Sequence, residues 1–493
     1  MSVVTRFAPS PTGYVHIGSL RTVLYNYLFA KKNNGKFMVR IEDTDRTRFV
    51  EGSVENMLGV LASVDLIPDE GPNNPWDKWP YYQSERLDIY KKYIDELIEK
   101  DKAYYCFCSS DRLNKLREEQ KSLNLPTKYD KKCRYLSPEE VKEKLESWVD
   151  YTVRLKVPDN TIIEFDDVIK WKIKVPSKDI DDQVLLKTDW FPTYHLANVV
   201  DDHLMWVTHV IRWDEWTPST PKHVIMYDAF GWEKPVFAHI PLLLWTDKKK
   251  LSKRTWDVAV EKYLESWYLT ESLTNYIALL GWNPKITEEF FTMPELIERF
   301  DLKQVHKAWA VFDVERLKFF NSHYLKTSPT DYLYKKLITY LWKYDPDFLE
   351  TISNFSEEYN KKILNELKTK IKKFDEYKEA SKIFYTDDIN LADKELLVNE
   401  KMKIKWIDDV IKWLNIALEI VKNNPDFNSI EEVKNIFIEK IKEAEMKNWQ
   451  VLWPVRFALS WETFSPWALE LIYILGNKKS SERLEKVLEN LAK

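Results

Sequence analysis

Apolar and polar positions along this chain mix helical and strand spacing up to about Thr255, and are helical from there to the end. Val3 and Val4 are a short apolar run that reads as a strand. Pro9, Pro11 and Gly13 then keep the backbone out of regular structure, since each proline fixes φ and removes a donor. Leu20, Val23, Leu24, Tyr27 and Leu28 recur at helical spacing, and Asn33, Asn34 and Gly35 end that helix. A second strand, 37–41, delivers Glu42, Asp43 and Asp45 at its C-terminal end. Strand, tight loop, helix, strand is an order that gathers polar residues at strand ends, where open α/β sheets bind ligands.

Two more amphipathic helices follow. One covers 53–67, with Val54, Met57, Leu58, Leu61 and Val64. The other begins at Ser84, after a loop rich in Pro and Asn, so residues 1–105 read as the first half of an α/β domain. Residues 151–190 switch to alternation (Tyr151, Val153, Leu155, Val157; Ile162, Ile163, Phe165; Trp171, Ile173, Val175). Short strands between turn signals predict a small mixed insertion rather than a continuation of the first sheet. The parallel pattern resumes near 191–202, with strands at 206–211 and 236–239 around a helix at 221–230.

The helical half contains stretches at 261–280 and 293–300, then amphipathic faces such as Leu333, Leu337, Tyr340, Leu341, Tyr344 and Ile407, Val410, Ile411, Leu414, Leu418, Val421. Ser429 and Glu432 are spaced as a capping box. The predicted fold is α/β: a parallel-sheet domain in two halves (1–105 and 191–255) around a mixed α/β insertion (106–190), followed by a helical segment (256–321) and an all-α region (322–493).

Composition narrows the function classes. With 493 residues and 59.1 kDa the chain has room for three or four domains. No run of about 18 apolar residues predicts a membrane span, and no charged and apolar leader pattern predicts secretion. The net charge of −5 and pI near 6.0 exclude a wholly basic nucleic-acid binder but allow a local basic surface. Three cysteines do not make a disulfide framework, which fits a reducing cytoplasm. Glycine is scarce, 9 residues against a usual share of roughly 7%. Yet Gly13 and Gly18 flank His16, and Gly18 lies at the mouth of a predicted helix whose free N–H groups favour a phosphate. The 21 tryptophans against 9 glycines have no functional account at this level.

Two clusters carry further chemistry. Cys106, Cys108 and Cys133 are compatible with zinc, which favours tetrahedral thiolate ligation. The fourth ligand is missing: Tyr135 is a poor substitute, and three reduced structural thiols are the alternative. Residues 246–254 form a basic loop, TDKKKLSKR, whose meaning depends on whether it faces the opening loop.

The segments RFAPSPTGYVHIGS, RIEDTD, PTYHLANVVDD, IRWDEWTPSTPKH and KLSKR, in this order and spacing, resemble a class I aminoacyl-tRNA synthetase, and more narrowly a bacterial-type glutamyl-tRNA synthetase. The resemblance implies a Rossmann-like catalytic domain, an insertion that binds the tRNA acceptor end, a helical stem-contact domain and an all-α anticodon-binding domain. It implies ATP-dependent ligation of L-glutamate to tRNA(Glu) through a glutamyl adenylate, with Mg2+ accompanying ATP, tRNA needed for the first step, and a monomer without membrane partners. His16, Lys250 and Lys253 would be catalytic. Gly18, Glu215, Trp216, Leu251 and Ser252 would join His16 and Lys253 on ATP. Arg6 and Arg212 can grip carboxylates with a bidentate fork and Glu42 can take an ammonium, with Ala8, Ser10, Tyr194 and Asn198 completing the pocket. An internal salt bridge is the competing role for Arg6 and Arg212. The family carries a zinc-like Cys signature in the same insertion, with a variable fourth position.

Three departures stand out: Trp213 where glycine usually follows the substrate arginine, Thr255-Trp256 where His-Gly is usual, and no glycine before the basic loop. They leave two other readings open, a tRNA-binding relative with impaired catalysis and a glutamine-specific sister enzyme.

Overall fold

The computed structural model describes residues 2–251, 258–386, 397, 406–424, 427–462 and 465–491. Ser252, Lys253, Arg254, Thr255 and Trp256 lie outside the described residues. The chain divides into two compact units, Met1–Leu264 with Thr270–Leu317, and Glu265–Leu269 with Lys318–Lys493.

The first unit is organised on β1 (Val4–Phe7), α1 (Ile17–Lys32) and β2 (Lys36–Val39). Eleven of the sixteen residues of α1 are buried, which its run of Leu, Val, Tyr and Ala allows. His16 caps its start, and Asn34 in the left-handed region turns the chain towards β2. Then come α2 (Ser53–Ser63), α3 (Leu87–Glu99), β3 (Ala103–Cys106), α4 (Ser110–Ser122), α5 (Pro138–Glu146), β4 (Thr152–Leu155), β5 (Ile162–Asp167), β6 (Trp171–Pro176) and β7 (Val184–Leu186). After them follow α6 (Tyr194–Leu204), β8 (His209–Trp213), α7 (Thr220–Phe230) and β9 (Val236–Ile240).

The main sheet has the order β2-β1-β8-β9-β5-β6. β2, β1, β8, β9 and β5 pair in parallel, and β6 closes the edge antiparallel to β5. A separate antiparallel sheet, β3-β4-β7, forms the insertion. The expectation that all the strands of 151–190 stay out of the first sheet is therefore corrected. The β5–β6 hairpin extends that sheet, joined to β9 at Asp167 and Phe237. Alternation identifies a strand but not its partner, and a single bridge at a hairpin tip leaves no trace in spacing. Residues 191–202 also differ from expectation: they lead into helix α6, and the strand expected at 206–211 begins three residues later, at His209.

Beyond β9 this unit carries helices Val260–Glu265, Thr270–Ala278 and Met293–Arg299. The second unit is helical wherever it has regular structure among the described residues. Leu333, Leu337 and Leu341 of Thr330–Tyr344 and Val410, Leu414 and Val421 of Ile407–Asn423 are buried in one core. Ser429 caps Ile430–Glu443 as expected, but Glu432 reaches back to the N–H of Asn428 rather than to that of Ser429. No described helix is long and apolar enough to cross a membrane.

Candidate active site

A cleft of about 670 Å3 opens at the C-terminal ends of β1 and β8. Arg6, Ala8, Ser10, His16, Glu42, Tyr194, Arg212, Glu215, Trp216, Lys250 and Leu251 line it, so most of the expected site residues meet here. Gly18 and Asn198 do not line it; both stand behind its wall. Ser252 and Lys253 lie outside the described residues.

The side expected to take the nucleotide begins with the His16 cap, whose Nδ1 accepts from the Gly18 N–H at 2.8 Å. A β-carbon on Gly18 would stand 3.0 Å from that nitrogen and 3.2 Å from the Trp213 ring, so a side chain there would crowd both. The loop 8–15 brings its proline-rich backbone round the helix start, with Gly13 at φ +114°. Lys250 ion-pairs with Glu215 at the rim. Trp213, in the departure position, donates from Nε1 to the Gly18 carbonyl at 3.2 Å, and its ring meets His16 edge-on.

The other side of the cleft holds buried charge. Arg6 meets Asp202 with two bonds, 3.1 and 3.3 Å, so the internal salt bridge does form even as Arg6 lines the cleft. Arg40 is fully buried and joins Asp202 at 2.8 Å and Glu42 at 3.3 Å. Asn198 lies 3.4 Å from Glu42, and with its amide turned it accepts from Arg6 and Arg40. Burial pushes the Glu42 carboxyl up to about 7, against the pull of Arg40 and Arg6. Burial would raise Asp202 too, but Arg6 and Arg40 hold it below the usual carboxylate range.

Arg212 is buried among uncharged partners. Its Nε donates to His239 Nε2 at 3.1 Å, Nη1 to Tyr194 Oη at 3.0 Å and to His223 Nδ1 at 3.3 Å, and Nη2 to Thr220 Oγ1 at 2.9 Å. Burial and the neighbouring Arg212 keep His223 far below the usual imidazole range, hence neutral and able to accept. Tyr194 in turn packs on Trp216, ring centroids 4.2 Å apart.

Sequence reasoning missed Arg40, Asp202, Thr220, His223, His239 and Asp167. Arg40 had a signal: two residues before Glu42 in the chain leaving β2, it falls on the same face if that chain stays extended. His239 had none, since a lone histidine in an apolar strand reads as core.

In the insertion, the Sγ atoms of Cys106, Cys108 and Cys133 all lie within 4.8 Å of one another. The exposed Tyr135 does not join them. The Tyr129 hydroxyl does, 3.4 Å from the sulfurs of Cys106 and Cys108, and it accepts from the Cys133 N–H. The Cys133 thiol beside it holds the Cys106 thiol well below its usual range. Three soft donors with a phenol beside them fit a tetrahedral thiophilic ion.

Residues 2–319 match the family model for the catalytic domain of class I tRNA synthetases (E and Q), and residues 332–488 match an anticodon binding domain. A glutamate–tRNA ligase of Clostridioides difficile is 42% identical over the whole of both chains. One from Alkaliphilus metalliredigens is 42% identical over 99% of each. Among solved structures, a glutamate tRNA ligase from Elizabethkingia meningosepticum, in complex with its amino acid, has a TM-score of 0.87 at 34% identity over all of both chains. The glutamate-tRNA synthetase of Elizabethkingia anophelis has 0.85 at 34%, over 99% of this chain and all of that one.

Proposed function

The chain belongs to the class I tRNA synthetases for glutamate and glutamine, and from that membership we propose that it ligates L-glutamate to the 3′ end of tRNA(Glu) in translation. The α-carboxylate of glutamate attacks the α-phosphate of ATP, giving glutamyl adenylate and diphosphate. The 3′-terminal ribose of tRNA then takes the acyl group and AMP leaves. Mg2+ bound with ATP supplies charge neutralisation on its phosphates.

The chain's own groups act by position and charge. The start of α1 offers N–H groups to the phosphates beside His16. Lys250, freed from Glu215, and Lys253 would meet the charge growing on the leaving diphosphate. Glu42 takes the substrate ammonium. Arg6 and Arg212 take its carboxylates, Arg6 through whatever its bonds to Asp202 leave open. Cys106, Cys108 and Cys133 would hold zinc, which would tie the insertion together without entering the reaction. The insertion would dock the acceptor end and residues 322–493 would read the anticodon. A cytoplasmic monomer is the form this reading expects.

One observation carries the choice of glutamate. Arg212 is a buried cation in the cleft wall, and among the described residues its hydrogen-bond partners are uncharged. It needs an anion, which the side chain of glutamate supplies and that of glutamine does not. Aminoacylation of purified tRNA tests the reading: charging with glutamate and ATP, abolished by Lys253→Ala, is expected, and charging with glutamine alone would refute it. The indole of Trp213, bonded at the start of α1, favours a second reading, a tRNA-binding relative with impaired catalysis. No glutamyl-tRNA formed by the unaltered chain, with activity gained in Trp213→Gly, would establish it.

A further inference from the structure

We propose that Asp167 and His239 are positioning residues that fix Arg212 for the side-chain carboxylate of the substrate while keeping a negative charge off it. The proposal rests on the reading of Arg212 given above. Asp167, the last residue of β5, is buried where the hairpin joins β9. Its carboxylate accepts from the backbone N–H groups of Ile169, Lys170 and His239, at 3.0, 2.8 and 3.0 Å. The same carboxylate lies 2.6 Å from His239 Nδ1.

An acceptor at that distance puts the imidazole proton on Nδ1 and leaves the Nε2 lone pair facing Arg212 Nε. A proton on Nε2 would set two donors against each other. On the opposite side of the cleft Asp202 contacts Arg6 directly and cancels its charge. Here an imidazole stands between carboxylate and guanidinium. It supplies an acceptor of fixed direction with no charge of its own. Thr220 does the same for Nη2 and His223 for Nη1, so the orientation of the fork is set before any substrate arrives.

His239→Leu keeps the bulk and removes the ring's hydrogen bonds to Asp167, Arg212 and Thr220; His239→Gln keeps a planar acceptor and donor. The leucine variant should raise the KM for glutamate about 10- to 100-fold, the effect of one hydrogen bond to a charged group. It should leave the KM for ATP and for tRNA in place and narrow the preference for glutamate over glutamine. Glutamine at 239 should restore most of the loss. Asp167→Asn, which turns the histidine proton to Nε2, should reproduce the leucine effect and decides the matter if the leucine variant does not fold. An unchanged KM for glutamate in His239→Leu or Asp167→Asn, beside a raised one in Arg212→Lys, overturns the relay and spares the reading of Arg212. An unchanged KM in Arg212→Lys overturns both.

A second, independent observation concerns tryptophan. Among the described residues, fifteen other than glycine have positive φ, and six of these are tryptophan: Trp148, Trp171, Trp190, Trp206, Trp267 and Trp461. Bulky side chains are genuine outliers there, whereas Asn and Asp are not. The helix ends make the point sharply. At the end of α7, Gly231 donates to Asp228 and the next N–H to Tyr227. Trp148 after α5 and Trp206 after α6 make the same pair of bonds, to Leu145 with Lys144 and to His203 with Asp202. At Asn34, Asp65, Asp101 and Asn124 the same motif carries residues that tolerate it. A chain with 9 glycines and 21 tryptophans has placed tryptophan where glycine belongs.

We infer that these six positions are decoded as glycine in the cell that makes the protein. Tryptophan and glycine codons differ by U for G in the first base (UGG and GGG, or a reassigned UGA and GGA), so one reassigned codon would exchange all of them together. Peptide masses of the protein isolated from its own cells test this. Glycine at all six positions is expected; tryptophan at any of them overturns the inference.

Discussion

The two walls of the cleft handle buried arginine in opposite ways. On the β1 and β2 side, Arg6 and Arg40 share Asp202, and Arg40 also reaches Glu42. On the β8 side, Arg212 has four uncharged partners among the described residues, and the carboxylate of Asp167 reaches it through His239. Both arrangements satisfy the donors of a guanidinium. Among the described residues the second has no carboxylate bonded to its guanidinium. On the proposed reading the second wall selects by charge, while the first is held by its paired charges and meets the substrate through Arg6 and Glu42.

The largest effect should come from breaking the paired wall. Asp202→Asn leaves two buried cations without their common partner, which costs about 3–5 kcal/mol. Thermal or denaturant unfolding should show that loss, and an unaltered midpoint would mean that the wall does not depend on the pair. The selective wall should respond in binding instead. Arg212→Gln is expected to lower kcat/KM for glutamate by two to three powers of ten, from roughly 3–4 kcal/mol of charged hydrogen bonds. Its melting point should hardly move. A variant that unfolds as readily as Asp202→Asn would erase the distinction between the walls.

Much of the first wall was legible in the sequence, and little of the second. Arg6 and Glu42 sit at strand ends in a chain whose turn residues mark those ends, and the helix start beside Gly18 was legible, though not its cap by His16. The partnership of Arg6 with Asp202 spans 196 positions, and no local pattern signals a contact of that separation. Asp167 was hidden further, because the β5–β6 hairpin reads as part of an insertion and only its tip touches the main sheet. Tyr129 was missed because nothing in the spacing sets it beside the thiols, and Tyr135 was weighed only as a poor substitute for the fourth ligand. The chain turns Tyr135 out to solvent and brings in a residue from before Cys133.

A smaller, titrating effect belongs to Glu42, the carboxylate paired with Arg40 and proposed to take the substrate ammonium. Burial pushes it up to about 7, from 4.5 in the unfolded chain. Below 7 it is protonated in the free enzyme and a poor partner for an ammonium. Hence kcat/KM for glutamate should fall about tenfold per pH unit as pH drops below 7. In Glu42→Gln the same profile should be lower and flat in that range. The stability sign is opposite: a raised carboxylate keeps a proton that the unfolded chain has shed. Stability should therefore decline as pH climbs from 4.5 to about 7 and level off above, and should lose that slope in Glu42→Gln. A profile with no break near 7 would place Glu42 among groups that only hold shape.

The smallest effect separates the walls at the helix they share. α6 begins with Tyr194, bonded to Arg212, and carries Asp202 in its last turn; Trp206 follows at φ 58°. In protein made with tryptophan at 206, Trp206→Gly removes the steric penalty of a left-handed residue at the end nearest Asp202, while Tyr194 at the far end is untouched. The gain should be about 1 kcal/mol in unfolding free energy, with KM for glutamate unchanged. The helix end supports the paired wall, and its backbone already has the conformation that glycine prefers. A shift in KM from this variant would show that the two walls communicate along α6, and that the selective arginine is not set by Asp167, His239 and Thr220 alone.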